Sequence, residues 1–129
     1  MIRKRTFIDA GVLIAAARGK DAPSMSALEI LDDQSREFVS SPFIELEVLP
    51  KAIYNGKRDE VEFYEAFFSS VSFWENDLVG IVERGNTIAR SFGLAAMDSL
   101  HVATAVLSGA EELVTTERAN KPIITGNNL

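Results

Sequence analysis

The residues of this chain best suited to chemistry are carboxylates placed where strands end. Met97-Asp98-Ser99-Leu100-His101-Val102-Ala103-Thr104-Ala105 sets an acid at the opening of a small-residue helix, and Leu113-Val114-Thr115-Thr116-Glu117 sets another directly after a short apolar strand. Thr6-Phe7-Ile8-Asp9-Ala10 has the same strand-then-acid arrangement near the start of the chain. In a parallel sheet ligands bind beyond the carboxyl ends of the strands, so acids at several such ends converge although they are far apart in sequence. Gathered carboxylates repel one another, and a site that collects them usually holds a divalent cation. Such a cation activates water and steadies charge on a phosphoryl group, which makes this a nuclease-like pattern.

Each acid also has a plainer use. Asp9 precedes Ala10-Gly11, small residues that permit a tight turn and close ligand approach, yet Asp is also a favoured helix N-cap. Glu45 and Glu47 share an apolar helical segment, Pro42 to Leu49, and positions two apart diverge by about 200° around a helix. Glu47 lies one turn beyond Phe43 on the stripe expected to face the sheet, which leaves Glu45 to solvent. His101 follows Asp98 by one turn and suits a hydrogen-bonded packing role better than a reactive one. Thr115 and Thr116 offer hydroxyl donors beside Glu117. Asp77 reads as a helix cap.

Alternating elements must carry these residues. A strand over Thr6 to Ile8 leads to a helix over Val12 to Ala17, then a loop from Gly19 to Pro23. Ser26-Ala27-Leu28-Glu29 has capping-box spacing and predicts a helix start. Phe38-Val39 forms a second strand. Ser41-Pro42 predicts the start of a helix running to Tyr54 and closing at Asn55-Gly56, with Pro50 set to kink it. Asp59 to Glu62 predicts the next N-terminus, Ser72 to Trp74 a third strand, and Asp77 a cap for a helix ending at Phe92 with Gly93 beyond it. The helix from Asp98 ends at Gly109, Glu112 to Thr116 is a fourth strand and Pro122 to Thr125 a fifth. This order implies one domain over residues 1–129, a three-layer α/β/α sandwich around a mostly parallel sheet.

Composition narrows the chemistry. The 129 residues are 47% hydrophobic, enough for one real core. There is no cysteine and one histidine, which excludes thiolate sites, disulfides and histidine-rich metal centres, leaving oxygen-loving cations such as Mg²⁺ or Mn²⁺. The basic opening Met1-Ile2-Arg3-Lys4-Arg5 lacks a long apolar run after it, and no stretch approaches membrane-spanning length, so a cytoplasmic location is expected. The net charge of −6 weighs mildly against nucleic-acid binding, but an acidic cluster neutralised by its cation accounts for several of those charges. Arg18, Lys20, Lys51, Arg118 and Lys121 are near enough to the expected site to form a phosphate-binding rim. Six of the eleven aromatics fall between Phe63 and Trp74; core packing is the favoured explanation, and a face for a second copy or a partner helix is the alternative.

At these motifs the chain resembles the PIN-domain family, which includes the VapC-type toxins of toxin–antitoxin pairs. Asp98 to Ala105 followed by Thr115-Thr116-Glu117 is similar to the family's third and fourth acidic motifs, Phe7-Ile8-Asp9 to the first, and Ser41-Pro42 through Glu47 to the second. The resemblance spans Phe7 to about Ile124. It implies a Mg²⁺- or Mn²⁺-dependent endoribonuclease acting on single-stranded or loop RNA. Asp9, Glu47, Asp98 and Glu117 are then the acidic quartet, with Asp9, Asp98 and Glu117 on the metal. It also implies an antitoxin partner and a homodimer. Two features depart from the pattern: the fourth acid is Glu rather than the commoner Asp, and Arg118-Ala119-Asn120 stands where a further acid often follows. Asn120 can supply a neutral oxygen there. A catalytically weak, PIN-like interaction module is the competing reading; an aspartyl-phosphate enzyme using Asp9 is disfavoured because Gly11 occupies the position of a second aspartate.

Overall fold

The computed structural model describes residues 2–116. Strand β1 (Lys4–Ile8) is followed by α1 (Ala10–Arg18), α2 (Ala22–Leu31), β2 (Arg36–Ser40), α3 (Pro42–Tyr54), α4 (Arg58–Ser70), β3 (Phe73–Trp74), α5 (Leu78–Phe92), α6 (Ala96–Leu107) and β4 (Glu112–Val114). The four strands form one sheet in the order β3-β2-β1-β4, and every neighbouring pair is parallel. Thr6 stands opposite Phe38 on one side and Glu112 on the other.

The layers follow from strand order. From β1 to β2 to β3 the chain steps in one direction, and right-handed crossovers place α1 to α4 on one face. The return from β3 to β4 passes beyond β1 in the opposite direction, so α5 and α6 belong to the other face. The helices accordingly pack in two groups, α1 to α4 among themselves and α5 against α6. A parallel sheet covered on both faces needs continuous apolar strands. Phe7, Ile8 and Val39 are fully buried, with Leu13, Ile44 and Tyr64 packed from one layer and Ile81 from the other.

Most expected elements form, with corrections at their ends. The helix expected to begin at the Ser26 capping box begins at Ala22 instead, because Asp21 accepts hydrogen bonds from the Ser24 backbone N–H (3.0 Å) and hydroxyl (2.8 Å) while Pro23 sits in the first turn. Residues 22–23 are therefore helix rather than loop. Asp59 does not cap α4. The αL turn at Gly56 (φ 65°) returns the chain to helical geometry by Arg58, after Lys57, and leaves Asp59 and Glu60 in the first turn, where the helix dipole favours them. Helix α6 opens two residues before Asp98, and β4 stops at Val114 rather than Thr116. The expected strand over Pro122 to Thr125 lies outside the described residues. Ser41 caps α3, Asp77 caps α5 through the Gly80 N–H, and Gly93 ends α5, as the sequence implies. The aromatic cluster is mainly interior: Tyr64, Phe67 and Phe68 are buried, Phe67 meets Phe38, Phe68 meets Trp74, and Tyr64 meets Phe63 edge-on.

The amino end of the sheet is tied electrostatically. Glu112 at the start of β4 accepts from Arg36 Nε (2.6 Å) and Thr6 Oγ1 (2.8 Å), so three adjacent strands meet at one carboxylate. Burial pushes the Glu112 pKa up, but the hydrogen bonds from Arg36 and Thr6 outweigh it and hold the group below its ordinary range. A carboxyl depressed in the folded state contributes stability above its unfolded pKa and loses it as pH falls through the folded one. Replacing Arg36 by Met should cost about 2 kcal/mol at neutral pH, a half-buried version of breaking a buried pair. Urea titrations across pH should show the gap from wild type closing below pH ~4; a pH-independent gap would mean the loss is one of packing.

Candidate active site

Asp9 is the first residue after β1, at the point where strand order reverses, with β2 and β3 on one side and β4 on the other. This is the crevice where open α/β sheets bind ligands. Its backbone is extended (φ −70°, ψ 155°), its N–H donates to Val114 O at 3.0 Å, and its side chain accepts from the Ala10 N–H at 2.8 Å. Asp9 is thus both the cap of α1 and an acid at the sheet's carboxyl end.

Helix α3 supplies Glu47. Ser41 Oγ accepts from the Phe43 N–H at 3.2 Å, and Ile44, Val48 and Ala52 form the buried stripe. Glu47 borders that stripe; like Glu45 and Leu46 it is exposed, but its carboxylate is the one that meets α6. Helix α6 supplies the other two groups. Asp98 is its third residue and is exposed; His101, one turn later, is buried against Phe7 with ring centroids 5.9 Å apart. The His101 Nε2–H donates to Glu47 Oε1 at 2.6 Å, and Nδ1 is buried with no hydrogen-bond partner among the described residues. Sequence reasoning assigned His101 to hydrogen-bonded packing, which is what it does, but missed that its partner is Glu47. The two lie 54 positions apart, and no local signal links them.

Electrostatics bring the acids together. The Asp9 pKa is raised above the ordinary aspartate value, chiefly by burial and further by the negative charges of Glu47 and Asp98; His101 and the Ala10 N–H oppose the rise. Asp9 therefore feels the charges of two of the other expected acids. Among the described residues, no three carboxylate or imidazole side chains close around a single ion position. Glu117, the expected fourth acid, lies outside the described residues, as do Arg118, Asn120 and Lys121. The approach to Glu117 is described: Thr116 stands directly over Gly11, where an added Cβ would come within 2.4 Å of the Thr116 hydroxyl. A side chain at 11 would need the Thr116 hydroxyl to turn away. Of the expected rim, Arg18 and Lys51 line a pocket of about 230 Å³ that Glu47 also borders.

The donor chemistry suits a hard divalent cation. Asp9, Glu47 and Asp98 are all oxygen ligands, one is held above its ordinary pKa partly by the others, and a cation relieves that repulsion.

The sequence matches the family model described as PIN domain over residues 6–120. No curated protein sequence matches it significantly. Among solved structures it resembles the Mycobacterium tuberculosis toxin VapC20, which cleaves the sarcin–ricin loop, with a TM-score of 0.71 and 16% identity over 88% of this chain and 90% of that one. A toxin–antitoxin complex from Klebsiella pneumoniae gives a TM-score of 0.64 and 23% identity over 96% and 99% of the two chains. VapBC2 of Rickettsia felis, bound to a DNA fragment from its promoter, gives 0.64 and 16% over 88% of each.

The raised pKa of Asp9 has a signed consequence. A carboxyl that holds its proton more tightly when folded destabilises the fold above its folded pKa, and the penalty vanishes as pH falls below the unfolded one. Asp9→Asn keeps a good capping residue and removes the charge. In EDTA at pH 7 the variant should melt a few degrees above wild type, with the difference shrinking on acidification toward pH 4. A variant less stable than wild type at pH 7 would show that Asp9 is held mainly by its capping bond.

Proposed function

The chain belongs to the PIN-domain family, and from that premise we propose that it is a divalent-metal-dependent endoribonuclease acting on single-stranded or loop RNA, the toxin of a toxin–antitoxin pair. The observation that supports this reading is the place of Asp9 at the switch point of a parallel sheet, where the charges of Glu47 and Asp98 are felt. The likeness to a loop-cleaving toxin supports RNA as the substrate, and the likeness to two toxin–antitoxin assemblies supports an antitoxin partner in the cytoplasm.

Nucleases of this family generally use divalent ions. In this reading Asp9, Asp98 and Glu117 hold Mg²⁺ or Mn²⁺, which when bound supplies an activated water and neutralises charge on the phosphate. The chain's own residues do the rest. Asp9 is fixed by the Ala10 N–H and by the end of β1, so its carboxylate does not swing away. His101 occupies Oε1 of Glu47 and leaves Oε2 for the site. Thr115, Thr116 and Asn120 are assigned supporting roles beside Glu117. Water attack on the scissile phosphorus, with the 3′-oxygen leaving, gives 5′-phosphate and 3′-hydroxyl ends; no side chain forms a covalent intermediate. Arg18, Lys51, Arg118 and Lys121 are assigned to the RNA.

The outer face of α3, with Leu46, Ile53 and Tyr54 exposed beside Pro50, is an apolar strip that we assign to a second copy of the chain. Leu46→Glu should convert the dimer to monomer in sedimentation; a wild type that is monomeric at micromolar concentration would refute the assignment.

A panel of structured and unstructured RNAs with Mg²⁺, Mn²⁺ or EDTA tests the activity. Cleavage should require metal. Asp9→Ala and Asp98→Ala should each lower it by about 10²-fold or more, the scale of removing a group aimed at developing charge, while Glu45→Ala leaves it intact. Millimolar Mn²⁺ should raise the melting temperature of wild type and not of Asp98→Asn. Failure to cut any RNA under any metal condition would replace the enzyme with an interaction module.

A further inference from the structure

The pocket bordered by Glu47 does not end at the rim expected from sequence. It shares Arg18, Lys57 and Glu60 with a larger cleft of about 710 Å³ between the end of α1 and the α3–α4 turn. Together they make a trough that starts at Glu47 and passes Lys51, Arg18 and Lys57 to reach Lys20 and Arg58. Five cations line it against three acids, in a chain of net charge −6. All five are exposed. Among the described residues Lys20, Lys51, Lys57 and Arg58 form no ion pair, and Arg18 has only a 3.9 Å contact with Glu60 while two-thirds exposed. Glu60 is set back in the wall, where it accepts a 3.5 Å hydrogen bond from the buried Tyr64 hydroxyl.

Uncommitted cations beside an acidic site solve a definite problem. The carboxylates that would hold metal repel a polyanion, so its affinity has to come from charge placed alongside. The lining also says what is read. Tyr64, the one aromatic there, is 1% exposed and offers no face for a base to stack on. Five cations and one neutral amide, Asn55, line the trough, so contacts to phosphates predominate, and these position a strand without reading its sequence. A partner protein's helix would want an apolar stripe, and the exposed apolar residues of α3 lie on its other face.

We infer that this trough is the path of the RNA backbone on one side of the scissile phosphate, held by Arg18, Lys51, Lys57, Arg58 and Lys20 through charge alone. The inference rests on the ribonuclease reading for the identity of the polymer.

Binding without catalysis separates the two. In an Asp9→Asn background with EDTA, fluorescence anisotropy should be measured for labelled oligouridylate and oligoadenylate across a salt series. Lys57→Gln with Arg58→Gln, both on an exposed turn, should weaken both RNAs by about tenfold. The plot of log affinity against log salt should become shallower by about 1.4, the value for two lost single-strand phosphate contacts. Arg84→Gln with Arg90→Gln, on exposed positions of α5 outside the trough, should change neither. An unchanged slope, a loss confined to one homopolymer, or tighter binding of poly-glutamate than of RNA of equal charge would each overturn the assignment, the last in favour of an acidic protein segment. Because nothing is cleaved in this assay, an inactive nuclease and a misassigned trough give different results.

Discussion

Carboxylates cannot be collected in one place without compensation, and this constraint organises both ends of the sheet. At the amino end, compensation is complete within the protein: Glu112 meets Arg36 and Thr6, and its pKa falls. At the carboxyl end it is left incomplete. Asp9 has one backbone donor and the distant help of His101 against burial and two like charges, and its pKa rises. The fold satisfies an acid fully at one end of β1 and leaves one under-compensated at the other, and under-compensated acids in a cleft are where functional chemistry concentrates.

His101 shows how narrowly the compensation is apportioned. A histidine buried in the middle of the site gives Glu47 one strong hydrogen bond and packs its ring on Phe7. It orients one carboxylate and only partly offsets the burial and like charges at Asp9. The trough extends the same logic outward. Charge that would quench the acids if placed among them is instead displaced along the surface, beyond a turn of helix, where it can meet a polyanion.

Much of this was legible in the sequence because it is local. An acid after an apolar strand, serine before proline, and an Asp and a Gly bounding α5 are signatures whose physics involves a few neighbouring residues. The place of Asp9 at the end of β1 could be read for that reason, and Glu45 and Glu47 assigned to different sides of α3 by helical geometry. What sequence could not supply was competition and distance. Ser26 had a plausible capping box, but Asp21 with Pro23 offered an earlier start that satisfied the same helix. Asp59 had cap chemistry, but the turn at Gly56 decided where α4 began. The bond from His101 to Glu47 and the meeting of Arg18 with Lys57 join separate helices, and only the path of the chain through the sheet brings them together.

That path gives Gly11 an importance out of proportion to its chemistry. It carries no charge, donates no side-chain bond and caps nothing, yet the space above its Cα is filled by the Thr116 hydroxyl. A search for working members of this fold that checks only for acids would accept a chain with alanine at this position. Such a chain would keep every acid and still crowd Thr116 beside the turn that follows Asp9. The competence of the site is therefore partly written in an absence of atoms, and a comparison that weighs residues by their reactivity will overlook it.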